Sequence, residues 1–147
     1  MSDLGHLHCF LGLQVLQTKE GIFLSHSKYA CDLLHQFHME HCKLAPSPFH
    51  PGVKILATCT FPEVDATLYH QLIGSLLYLT HSCPDLSFVV GRVSRYMQTP
   101  HESHWKAVKR ILRYIQGTIQ FGIHYSTGGK PLLVGFTDLD WGGDPND

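Results

Sequence analysis

From Ala66 to Gly117 apolar residues recur at spacings of three and four, the period of a helix with one buried flank. Leu68, Leu72, Leu76 and Leu79, with Ile73 and Leu77 beside them, predict a first helix. Ser82 and Pro84 predict the start of a second, because serine caps the free N–H groups and proline gives up only an N–H that has no helical partner there. That helix turns Leu86, Val89, Val90, Val93 and Met97 to one side. Thr99 and Pro100 repeat the start signal, and a third helix carries Trp105, Val108, Ile111, Leu112 and Ile115 up to Gly117, a suitable left-handed stop. Three apolar faces in succession have to be buried against one another.

The pattern changes on both sides of this stretch. Phe10 to Leu16 alternates in part, Lys19-Glu20-Gly21 supplies a turn, and Ile22 to Ser25 is a second short run, so an N-terminal β-hairpin is expected. Ser27 can cap a helix from Lys28 to about His38, with Tyr29, Leu33, Leu34 and Phe37 on one face. Cys42 to Val53 contains Pro46, Pro48, Pro51 and Gly52 and reads as a connector, and Thr58 to Asp65 is irregular as well. Beyond Gly117, the runs Gln120 to Tyr125 and Leu132 to Thr137 flank Ser126-Thr127-Gly128-Gly129-Lys130, the signal for a C-terminal hairpin. The fold class expected is α+β: a hairpin at each end around three consecutive helices over about residues 66–117.

The third helix has a second face. Lys106, Lys109, Arg110 and Arg113 fall opposite the Trp105 to Ile115 stripe, with no acidic residue among them after Glu102. One reading is an ordinary solvated helix face. The other is a rail for a nucleic-acid backbone, since cations in a line neutralise successive phosphates and release counterions.

Bulk composition limits both readings. A chain of 147 residues that is 44% hydrophobic and 16% charged suits one compact unit or pieces of two. The net charge of -1 excludes a globally basic nucleic-acid binder, so any such activity has to come from a local patch. Five cysteines, odd in number and scattered, suit free thiols in a reducing compartment. No run approaches the length of a membrane span and no secretory signal is visible, so a soluble intracellular protein without a membrane partner is expected; cytoplasm, nucleus and mitochondrion stay open.

The central stretch resembles the C-terminal part of the reverse transcriptase region of copia-type retrotransposon polyproteins. These carry Y-x-x-L-I/V-G-S-L-L-Y-L-T, then R-P-D-L/I-x-F-x-V, then H-W-x-A-x-K-R-I-L-R-Y-I/L-x-G-T. The matching positions are Tyr69 to Thr80, Pro84 to Val90 and His104 to Thr118. The family's M-x-D-L-G and F-L-G-I/L-x-V are matched from Met1 and from Phe10, and its G-Y/F-x-D-x-D-W-A-G-D by the run that begins at Gly135. The resemblance implies a partial reverse transcriptase over 1–118, with a primer-grip hairpin at Phe10, Leu11 and Gly12 followed by thumb and connection-like helices. It implies the end of the connection and the first ribonuclease H strand over 119–147, where Asp138 inherits a metal-ligand role.

The parent activity would be RNA-directed DNA synthesis with Mg²⁺ on a template–primer duplex. The family's catalytic Asp-Asp pair lies upstream of the matched segment and no such pair occurs in these residues, so a catalytically incomplete fragment without a cofactor of its own is expected. The partner that remains is a nucleic-acid duplex, RNA–DNA or DNA, bound weakly. Cys83 and His70 stand where the family commonly has arginine, Leu139 where it has a small residue, and Gly142 where it has alanine.

Other chemistry finds less support. His38, His41 and Cys42, His6, His8 and Cys9, and His101 with His104 have ligand-like spacings, but structural zinc needs paired sets and no second set is placed. Ser75 follows Gly74 inside a helical stripe, without the strand-to-helix elbow that a nucleophile of that kind uses.

Overall fold

Four helices form in the computed structural model of the protein, which describes residues 7–50, 55, 62–128 and 134–136. They are α1 (Ser27–Gln36), α2 (Ala66–Leu79), α3 (Ser87–Ser94), entered through a 3-10 turn over Pro84–Leu86, and α4 (Glu102–Gly117). The expected three-helix succession is present as α2, α3 and α4. Asp65 starts α2: its Oδ1 accepts from the Thr67 and Leu68 amides at 2.8 and 3.3 Å, satisfying donors that the helix leaves unpaired.

The buried stripe of α2 is rotated from the one read off the leucines. Tyr69, Leu72, Ile73, Leu76 and Leu79 face inward, while Leu68 and Leu77 are exposed. Tyr69 can occupy a fully buried position because its hydroxyl donates to the Val93 carbonyl at 2.8 Å. On α3 the expected Val89, Val90 and Val93 are buried, but the helix closes at Ser94, short of Met97. There Tyr96 turns inward and its hydroxyl donates to the Ile55 carbonyl at 2.9 Å.

On α4 the apolar stripe is Val108, Ile111, Leu112 and Ile115, joined by a fully buried His104 that hydropathy alone would place outside. The His104 ring stacks on Tyr96 at 4.0 Å, and its Nδ1 accepts from the His101 amide at 3.0 Å at the start of the helix. Trp105 packs at the edge of the core. Helix α1 adds Ala30, Leu33 and Leu34, packing on α4, while α3 packs on both α2 and α4. The segment before α2 is pinned to the start of α4 by a Glu63–His101 bridge and by the Val64 amide on the Pro100 carbonyl at 2.8 Å.

The strands β1 (Cys9–Phe10), β2 (Leu13–Gln17), β3 (Gly21–Ser25) and β4 (Gly122–Ser126) form one antiparallel sheet in the order β1-β2-β3-β4. The expected N-terminal hairpin is β2 with β3. At its outer edge Leu11 and Gly12 both have positive φ, 48° and 82°, the two-residue turn whose twist matches antiparallel strands. The C-terminal hairpin is described only in part. Its first run becomes β4 and pairs with β3, Ile22 opposite Tyr125 and Phe23 opposite His124. Of its second run only Val134 to Phe136 is described, and these residues belong to no strand.

Helices and sheet meet through polar groups. Among the described residues the helical core cluster contains no strand residue. His26 Nδ1 and the Ser82 hydroxyl lie 2.5 Å apart, the Ser27 hydroxyl donates to the Ile119 carbonyl at 2.8 Å, and the Lys28 amide donates to Gln14 Oε1 at 3.0 Å. The Tyr78 hydroxyl donates to the Leu11 carbonyl, which ties the β1–β2 turn to α2.

Candidate nucleic-acid interface

The four cations expected to form a rail do share one helix, but they are not equivalent. Lys106 and Lys109 are exposed; Lys106 Nζ sits 2.9 Å from Glu102 Oε1 one turn back, and Lys109 Nζ lies 5.6 Å from the centre of the Trp105 ring. The two arginines are half-buried because the proline-rich connector lies along this face. Arg113 Nε donates to the Lys43 carbonyl at 2.6 Å, and the Ala45 amide donates to the Arg113 carbonyl at 3.2 Å. Arg110 Nη2 donates to Ser47 Oγ at 3.2 Å, and its Nε is buried without a hydrogen-bond partner. The electrostatic surface is therefore two projecting lysines and two guanidinium groups that fasten a loop.

Phe10, Leu11 and Gly12, the primer-grip-like residues, lie at the β1–β2 turn, all exposed. They belong to a different part of the molecule from the α4 cations: the turn is tethered to α2 through Tyr78. Asp138 lies outside the described residues, as do Asp140, Asp144 and Asp147. Among the described residues no three His, Cys, Asp or Glu side chains come together to hold a metal ion.

The two positions at which the resemblance leads one to expect arginine, His70 and Cys83, have other partners. His70 Nδ1 lies 2.8 Å from the Ala66 carbonyl on the exposed side of α2. Cys83 is half-buried beside Ser82, and burial pushes its thiol up, which keeps it neutral and poorly nucleophilic. Next to it, the Tyr114 hydroxyl donates to Asp85 Oδ2 at 2.6 Å, and that bond pushes the phenol up to about 12.

The sequence could not show that the connector would cover Arg110 and Arg113, since Lys43 and Ser47 carry no periodic signal. It also gave no hint of the buried His26–Ser82 pair, whose members lie 56 positions apart. Among the described residues no helix is long and apolar enough to cross a membrane.

This α+β chain belongs with the copia-type retrotransposon Pol polyproteins, to which it is homologous over its whole length. It is 38% identical to the retrovirus-related Pol polyprotein from transposon RE2 of Arabidopsis thaliana over 96% of its own length and 10% of that protein. It is 34% identical to the corresponding polyprotein from transposon TNT 1-94 of Nicotiana tabacum, over 98% of the chain and 11% of that protein. An uncharacterized mitochondrial protein of Arabidopsis thaliana matches at 35% over 97% of the chain and 59% of its own length. The chain thus spans about a tenth of the polyproteins it matches. No family model matches it, and no solved structure matches it.

Proposed function

We propose that this chain is the part of a copia-type polyprotein that follows the polymerase catalytic strand pair and runs into ribonuclease H. In this reading it is catalytically incomplete and retains a weak backbone grip on a template–primer duplex. The observation that carries the grip is the polar face of α4, which holds Lys106, Lys109, Arg110 and Arg113 with Glu102 as the acidic residue of the helix itself. Backbone contacts of this kind position a duplex without reading its sequence and need no catalytic metal.

Catalysis is a separate matter. Phosphoryl transfer by two Mg²⁺ ions needs several carboxylates from separate elements around the reacting phosphate. The chain has no Asp-Asp pair, and Asp138 is the residue that would contribute to a ribonuclease H site. Within this reading residues 1–118 are the partial polymerase and 119–147 the entry to ribonuclease H, in an intracellular protein whose cysteines stay reduced. Purified chain with Mg²⁺ or Mn²⁺, primed RNA and nucleotides is expected to give no extension above a blank. Extension that survives repurification would overturn the assignment.

The grip is tested by fluorescence anisotropy with an RNA–DNA hybrid at two salt concentrations. The expected affinity falls in the non-specific range of about 10⁻⁴ to 10⁻⁶ M, weakened by Lys109→Glu with Arg113→Glu, while circular dichroism reports whether the fold is kept. Binding that ignores the charge reversal would leave the second reading, a structural remnant in which the arginines serve the connector. That reading draws on the Arg113–Lys43 and Arg110–Ser47 bonds.

A further inference from the structure

Between the connector and α4 lies a cavity of about 320 Å³ lined by Pro48, Phe49, His50, Ser103, Lys106, Ala107 and Arg110. That volume is at the lower end for small-molecule sites, room for one compact ligand. Its walls divide by chemistry. Pro48, Phe49 and Ala107 are apolar, and Arg92 stands over the Phe49 ring, 5.7 Å from its centre, which holds the ring in place. Lys106, Arg110 and His50 bring cationic or protonatable groups, Ser103 a hydroxyl, and among the described residues no carboxylate lines the cavity. Arg110 adds an independent observation: its Nε is buried with no hydrogen-bond partner while Nη2 is held by Ser47. A buried guanidinium donor left unmet is costly, and Arg110 is the lining residue whose guanidinium has hydrogen-bonding capacity left for an anion bound beside it.

We propose that this cavity receives one unpaired nucleotide of a nucleic-acid strand, its base against Phe49 and Pro48 and its phosphate at Lys106 and Arg110. This rests on the reading that the α4 face grips nucleic acid, and extends it from backbone contact to a base pocket. A flat aromatic wall beside two cations matches the two halves of a nucleotide, and stacking on an aromatic ring accepts any base. Paired bases are closed to such a pocket, so the site separates a single strand from a duplex. Lys106 exchanges Glu102 for the phosphate at little loss, since an exposed ion pair contributes little.

The test uses the full 147-residue chain, a fluorescein-labelled oligothymidylate and an RNA–DNA hybrid of equal length. Phe49→Ala is expected to weaken single-strand binding by about 5- to 150-fold, the range for losing one stacked base, with hybrid binding changed by under about twofold. Phe49→Trp is expected to keep single-strand binding, which separates stacking from a packing defect. Thymidine 5′-phosphate is expected to shift the NMR resonances of Phe49 and Ala107, and to do so also in Lys109→Glu with Arg113→Glu. If that double variant loses the hybrid but keeps the mononucleotide, the pocket does not need the duplex rail and both stand. If no hybrid is bound by the wild type but the mononucleotide is, the rail fails and the pocket stands. Equal losses for strand and hybrid in Phe49→Ala, unmoved Phe49 and Ala107 resonances, or displacement of the strand by inorganic phosphate or an acidic aromatic peptide at lower concentration than by the mononucleotide would each overturn the pocket.

Discussion

His26 joins the sheet to the helices, and its burial makes that joint sensitive to acid. It is 2% exposed, and its Nδ1 is paired with the Ser82 hydroxyl at 2.5 Å. The Tyr78 ring from α2 lies 4.6 Å away and the Tyr29 ring from α1 6.1 Å, while Nε2 has no hydrogen-bond partner. Burial, and then the neighbouring His81, hold its pKa below the ordinary 6.5. A lowered folded-state pKa means that the unfolded chain takes up the proton first as pH falls below 6.5. Stability is therefore unaffected by this group above that pH and is lost below it, by at most one proton's worth, about 1.4 kcal/mol per pH unit, until the folded pKa is reached. Replacing His26 with Phe removes the bond and leaves the Ser82 hydroxyl buried, a loss of about 1–3 kcal/mol near pH 8. The variant has no proton to take up, so its deficit shrinks with acidification and closes about one to two pH units below 6.5 if His26 stays neutral that far. Urea denaturation of both proteins between pH 8 and 5 measures the gap directly. A gap that stays constant across that range would show that His26 titrates as it does in the unfolded chain.

Three further outcomes are expected. Asp65→Ala removes the acceptor for two amides of α2 and is expected to lower stability by about 1 kcal/mol, read by thermal or urea unfolding. Gly12→Ala would put a Cβ 2.6 Å from the Tyr78 hydroxyl oxygen at a position with φ of 82°, and is expected to cost about 1–2 kcal/mol from the left-handed backbone alone, with faster amide exchange in Leu13–Gln17. Tyr114 is expected to ionise near 12 in an ultraviolet titration and to move back toward 10 in Asp85→Asn; since the folded state holds this proton longer, stability falls as pH rises from 10 to 12.

The helices were legible because their signals are local. Pro84 before α3, Pro100 before α4 and a three-to-four repeat within each helix need no information from elsewhere, whereas the expected Ser82 cap does not form, because its hydroxyl is paired with His26. What stayed hidden depends on distant partners. Tyr69 and His104 replace expected positions in the core because Val93 offers a carbonyl and Tyr96 a ring face. The strand at 122–126 was visible as a strand, but the adjacent turn signal at Ser126 to Lys130 pointed to a local hairpin. Its described pairing is with Gly21–Ser25 from the other end of the sequence, where edge groups of β3 would otherwise go unpaired. At the interface the types and helix positions of the four cations were readable, but their availability was not.

That difference in availability changes what a salt titration means. If four cations each neutralise a phosphate, the logarithm of affinity falls with that of salt at a slope of about -3 to -4; with Lys106 and Lys109 alone it is about -2. The steeper value requires Arg110 and Arg113 to turn toward the duplex, and each then trades a bond it now makes to Ser47 or Lys43. Those bonds fasten the connector that carries Pro48, Phe49 and His50, so a duplex that recruits the arginines loosens the wall of the neighbouring cavity. Gripping a duplex with all four cations and holding a single base against Phe49 are then competing states of one surface. Oligothymidylate bound in the cavity holds the arginines to the connector and also engages Lys106, so the slope measured with the hybrid is expected to flatten to about -1, the value for Lys109 alone, whereas independent sites would leave it unchanged.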